Sequence, residues 1–158
     1  MASNINVYER LQELGITLPP PLSDPPTLKL VRPLAEGLLY VSGVGPAMIG
    51  HDEIHGKLLD GIDEKMGYYA ARCTALNSLA ILDQYLGDLN RITDFVKLLC
   101  FVAGRPDFEN QPQVANGASE LLISVFGEEI GKSARSAVGV AALPGNIPIE
   151  IEMIVRYK

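Results

Sequence analysis

The chain contains no tryptophan, and its six tyrosines and four phenylalanines are not interleaved with basic residues. That arrangement excludes the aromatic stacking platform of a single-strand nucleic-acid binder. Lys and Arg number 13 against 19 Asp and Glu, a formal net charge of −6. The cations are scattered, with no basic run or stripe, so a surface that tracks phosphates is excluded and nucleic acid is not an expected partner. One local cationic pocket remains compatible with this distribution. No apolar run approaches the roughly 20 residues that cross a bilayer, so no membrane partner is expected. The first residues, Met1-Ala2-Ser3-Asn4, lack the basic segment and apolar core of a signal peptide, and a cytoplasmic location is the expectation. Cysteine is scarce as well: Cys73 and Cys100 stand alone, each inside an apolar periodic segment. Both read as buried reduced thiols rather than as a disulfide.

What is present fits one globular domain over 1–158, with 47% hydrophobic and 20% charged residues. Residues 4–14 read as a short helix with Val7, Leu11 and Leu14 at helical spacing, capped by Ser3 or Asn4 and ended at Gly15. The prolines at 19–21 and 25–26 exclude helix and central strand. Residues 1–26 are thus expected to be a helix and an extended linker packed on the main body. Residues 27–34 and 38–42 read as a hairpin around Ala35-Glu36-Gly37. Gly43-Val44-Gly45-Pro46 reads as a turn, and 47–59 as a polar excursion with a short strand at 57–59.

Asp63 is a good N-cap for a helix running to Leu86 and stopping at Gly87. Residues 92–103 form an apolar run in which Val96, Leu98, Cys100 and Val102 point one way and Phe95, Leu99 and Phe101 the other. A strand apolar on both faces is buried on both. Helices cover one face, and another subunit is the expected cover for the second. A second amphipathic helix spans 114–126. Strands at 136–143 and 147–157 flank Pro144-Gly145-Asn146 and are expected to pair antiparallel. The order helix, β, β, α, β, α, β, β indicates an α+β fold with helices on one face of the sheet.

Few segments carry chemistry. His51-Asp52-Glu53-Ile54-His55 holds both histidines; imidazole and carboxylate are good ligands, but the segment lies in a polar loop rather than on a helix, and no metal is expected. Gly43-Val44-Gly45 lacks the third glycine of a nucleotide fingerprint, and Pro46 follows it. Arg135, in Ala134-Arg135-Ser136, is either a solvated strand-end charge or a clamp whose planar donor fork fits a carboxylate. Glu150 and Glu152 are either a solvated sheet face or a source of a general acid/base beside that clamp.

Ala134-Arg135-Ser136, followed by Val138, Val140, Leu143-Pro144 and Ile149-Glu150-Ile151-Glu152, resembles the C-terminal signature of the RidA/YjgF family, the reactive-intermediate deaminases also known as endoribonuclease L-PSP proteins. Tyr40-Val41-Ser42-Gly43 with Pro46, then Asp107-Phe108 and Asn116, match the same family. The leading helix, Asn116-Gly117-Ala118-Ser119 and Val125-Phe126-Gly127-Glu128 are similar to its longer subgroup. The resemblance implies a chorismate-mutase-like mixed sheet with two helices on one face, and a homotrimer with clefts between subunits. The implied reaction is hydrolysis of small imino or enamine acids to 2-keto acids and ammonia, with a small carboxylate-bearing substrate and no cofactor. It places the clamp on Arg135 and the water-associated carboxylate on Glu150. Ser42, Gly43, Phe108, Asn116 and Ala137 fall on pocket-lining positions. Leu28-Lys29-Leu30 stands where many members carry a tyrosine, Ala137 where many carry cysteine, and Val44 where glutamine is frequent. A non-catalytic trimer that binds small carboxylates is the alternative expectation, and an endoribonuclease a more distant one.

Overall fold

A computed structural model describes residues 6–46 and 54–158. The elements in chain order are α1 (Val7–Glu13), β1 (Val31–Ala35), β2 (Leu38–Val44), β3 (Lys57–Leu58), β4 (Gly61–Ile62), α2 (Glu64–Leu86), β5 (Ile92–Ala103), α3 (Gln111–Gly131), β6 (Ala134–Val140) and β7 (Ile149–Tyr157). Five strands form one mixed sheet in the order β1-β2-β7-β5-β6, and β3 and β4 form a small parallel pair.

The long helices are set by local chemistry. Asp63 caps α2 by accepting from the Met66 amide, and Gly87 ends it at φ 73°, a left-handed conformation that costs glycine least. α3 begins beside Pro112, helical regularity breaks at Gly127 with φ 78°, and the apolar periodicity accordingly stops at Phe126. Both helices pack on the same face of the sheet and on each other. Between them and the strands lie Leu79, Leu82, Leu98, Leu121, Leu122, Phe95 and Phe126, all essentially inaccessible; the rings of Phe95 and Phe126 meet edge to face at 4.9 Å. The helices approach so closely at Gly117 that a Cβ there would lie 2.0 Å from the Tyr68 carbonyl oxygen.

The N-terminal helix is tied down by its own polar groups. Asn6 caps it, accepting from the Tyr8 and Glu9 amides; Ser3 and Asn4, the expected caps, lie outside the described residues. The Tyr8 hydroxyl donates to Asp83 at 2.5 Å and accepts from the Leu89 amide at 2.9 Å. Burial and the Asp83 carboxylate push this phenol up to about 12.

Three expectations are corrected. β6 and β7 do not form a hairpin. β6 pairs parallel with β5, and β7 lies between β2 and β5, antiparallel to both. The α3 connection between β5 and β6 is long enough to return the chain for parallel pairing, and residues 141–148 then carry it across the end of β5. The strict alternation expected along 92–103 also fails at its start. The β5–β7 register shifts between Phe95 and Lys97, so Phe95 turns inward with Leu98 and Val96 turns outward. In addition, Gly43 and Val44 extend β2 instead of forming a turn, across a register shift against β7 between Val41 and Val44. No helix among the described residues is long and apolar enough to cross a membrane.

Candidate functional site

β6 is the edge strand beside β5, and Arg135 is in register with the buried Leu98. Neighbouring residues in register share a face, so Arg135 points to the helix side and reaches α3. Its Nη1 donates to Asn116 Oδ1 at 2.9 Å and to Ser119 Oγ at 3.0 Å, and its Nη2 donates to the Pro112 carbonyl at 3.3 Å. All three acceptors are neutral. No carboxylate among the described residues pairs with Arg135, which is half-buried. The nearby Cys100 thiol is pushed up to about 11 by burial, although the positive charge of Arg135 opposes that shift, and so it stays neutral. A half-buried guanidinium among neutral partners keeps its whole charge available to an anion.

Ala137 follows two residues later on the same face and is paired with Cys100. Phe108 is buried under Gly104 and helps line a cleft of about 430 Å³ with Lys57, Arg105, Gln111 and Gly139. Gln111 donates to the Phe108 carbonyl at 2.7 Å and lies against Gly139, where any Cβ would come within 2.8 Å of its amide nitrogen.

Glu150 belongs to a second group. It is in register with Phe101, between the inward-facing Ile149 and Ile151, and therefore looks out from the sheet face that no helix covers. A Cβ on Gly43 would lie 2.3 Å from Glu150 Oε1, so any side chain there would push this carboxyl out of its present position. Burial first, and the neighbouring Glu152 second, hold Glu150 above the ordinary carboxylate range. Glu152 in turn accepts from the Tyr40 hydroxyl at 2.7 Å, and this bond is the largest cause of the upward shift of Tyr40. Ser42 adjoins the group, its amide donating to the Leu30 carbonyl at 2.8 Å.

The structure thus brings Arg135 to Asn116, and Glu150 to Gly43, but keeps the two groups on opposite sides of the sheet. Arg135 is level with Leu98 and Leu98 with Met153, three residues from Glu150 along β7. Two strand spacings and three residues of rise place the two Cα atoms about 14 Å apart. The two residues are therefore widely separated within one chain. Ser119 and Pro112 were not expected in the site. The signal for Ser119 is its i,i+3 spacing from Asn116, which puts both on one face of α3. Among the histidines, His51 lies outside the described residues, as do Asp52 and Glu53; His55 Nδ1 donates to the Gly145 carbonyl at 2.8 Å.

The fold recurs in known proteins. Protein TCP17 of Trypanosoma cruzi is 41% identical over 153 residues, covering 96% of this chain and 94% of its own. The crystal structure of Atu1372 from Agrobacterium tumefaciens is 39% identical, covers 96% of this chain and 92% of its own, and superposes with a TM-score of 0.87. The YjgF gene product of Escherichia coli shares the fold at 23% identity, with a TM-score of 0.60 over 89% of this chain and 94% of its own. The Endoribonuclease L-PSP family model matches residues 29–157, and the chain belongs to that family, the RidA/YjgF proteins.

Proposed function

We propose that the protein hydrolyses small 2-imino acids, formed from enamines such as 2-aminoacrylate, to 2-keto acids and ammonia, in a cleft completed by a neighbouring subunit of a homotrimer. The observation that carries this reading is Arg135: a half-buried cation whose partners are an amide oxygen, a hydroxyl and a peptide carbonyl. Such a group takes the substrate carboxylate. Glu150, held above the usual carboxylate range by burial, accepts a proton from water as that water adds to the imine carbon. That proton returns to the imine nitrogen to complete the carbinolamine, whose hydroxyl proton then passes to the nitrogen as the C–N bond breaks, releasing ammonia and leaving the keto acid. Imines hydrolyse readily in water, so positioning supplies much of what catalysis needs.

Because Arg135 and Glu150 face opposite sides of one sheet, the reaction needs Glu150 from a second copy. The uncovered face supports such packing. It carries the half-buried Leu99, Phe101 and Ile154 and the exposed Tyr40 and Val138, an apolar surface of the kind that marks an interface. RNA cleavage, the activity in the family's name, is disfavoured by the net charge of −6.

A second reading, a trimer that binds small carboxylates without turning them over, is favoured by one observation. Leu28-Lys29-Leu30 carries no phenol where many family members carry a tyrosine. Freshly generated 2-aminoacrylate separates the two. Ammonia release above the spontaneous rate, abolished in Arg135→Ala, supports the enzyme. Ligand-induced melting shifts with no acceleration support the binder.

A further inference from the structure

A guanidinium has five N–H bonds, and three of those on Arg135 are committed to the protein. Asn116 and Ser119 take both Nη1 hydrogens, and the Pro112 carbonyl takes one from Nη2. Nε–H and the other Nη2–H meet no acceptor among the described residues. Nε and Nη2 share one edge of the plane, which matches the two oxygens of a single carboxylate.

The cradle fixes which edge is free. Asn116 is itself oriented, its Nδ2 donating to Gln113 Oε1 at 3.2 Å, so its Oδ1 faces Arg135. Asn116 and the Pro112 carbonyl hold the plane at one point on each Nη. Ser119, one helical turn beyond Asn116 along α3, adds a second acceptor on Nη1 and narrows the tilt that those two points still allow.

We propose that Ser119 is a positioning residue: by accepting from Nη1 of Arg135, it presents the Nε/Nη2 edge outward and restricts the site to ligands with one planar carboxylate. This rests on the reading of Arg135 as the substrate anchor. Two remaining donors suit a carboxylate and leave the further oxygens of a phosphate unmet. Ser119 touches no reacting atom, so its removal acts on ligand affinity and KM while sparing kcat.

The test is titration of pyruvate into the wild-type protein, Ser119→Ala, Ser119→Thr and Arg135→Ala, with methyl pyruvate as the comparison ligand and with 2-aminoacrylate turnover and Tm recorded for each. In Ser119→Ala, pyruvate affinity should fall roughly tenfold, the scale of one charge-assisted hydrogen bond. KM should rise in step, with kcat and Tm nearly unchanged. Preference for pyruvate over methyl pyruvate should shrink, and Ser119→Thr, which keeps the hydroxyl, should restore it. If Ser119→Ala binds pyruvate like the wild type while Arg135→Ala does not, the role given to Ser119 is wrong and the anchor stands. If Arg135→Ala binds as well as the wild type, the anchor itself is wrong and the proposal falls with it.

Discussion

Gly117→Ala tests the packing that holds the candidate site together. The added Cβ would lie 2.0 Å from the Tyr68 carbonyl oxygen, 2.9 Å from its carbon and 3.2 Å from the Ala71 Cβ. A comfortable carbon–oxygen contact is about 3.3 Å, so α2 and α3 must part by more than about 1 Å. The obstruction is backbone, which no rotamer change relieves. Overpacking of this kind costs about 3 kcal/mol, and the better helix propensity of alanine returns about 1 kcal/mol. The net loss of about 2 kcal/mol corresponds to a fall of roughly 4–8 °C in Tm for a domain of this size. Thermal melting followed by circular dichroism reads it directly. Gly117 sits between Asn116 and Ser119, so displacement of α3 should also loosen the cradle of Arg135 and weaken pyruvate binding. In an open helix the substitution would stabilise, so the sign is decisive. An unchanged or higher Tm would refute the close approach of the helices.

Three further outcomes are expected. Light scattering should give about three times the 17.1 kDa chain mass; a monomer at micromolar concentration would remove the composite cleft. Gly43→Ala should leave the fold intact but displace the Glu150 carboxyl, which a Cβ would meet at 2.3 Å, and should lower kcat with little change in pyruvate affinity; a wild-type kcat would separate Glu150 from the chemistry. Because the fold holds Glu150 above its ordinary range, the stabilising contribution of its protonated form is complete below the unfolded carboxylate pKa and is lost as pH rises through the folded one. Glu150→Gln should therefore melt higher than the wild type at pH 7, an advantage that disappears on acidification to about pH 4, and melting curves across that window show whether it does.

Legibility from the sequence followed the range of the interaction that decides each feature. The α2 helix was readable to its ends because Asp63 and Gly87 are local signals. The regular part of α3 was readable up to Phe126, but its start at Gln111 and its continuation past Gly127 to Gly131 were not. The place of β7 between β2 and β5 was not, because the turn residues at 144–146 suggest a hairpin and only long-range pairing puts β5 between β6 and β7. The strand, helix, strand order of β5, α3 and β6 does carry the parallel pairing. The inward turn of Phe95 depends on a register shift, which alternation cannot encode. Arg135 with Asn116, and Glu150 with Gly43, came from the family resemblance. The location of the two pairs on opposite faces needed the register.

The central claim is that one site takes Arg135 from one chain and Glu150 from another. Its most direct test unfolds Arg135→Ala and Glu150→Gln proteins, each inactive alone, mixes them in equal amounts and refolds them together. In a cyclic assembly with random mixing, about a quarter of the sites regain an intact Arg135 beside an intact Glu150 from the next subunit. About a quarter of wild-type ammonia release from 2-aminoacrylate is the expected result. Mixed assemblies as inactive as both parents would contradict it.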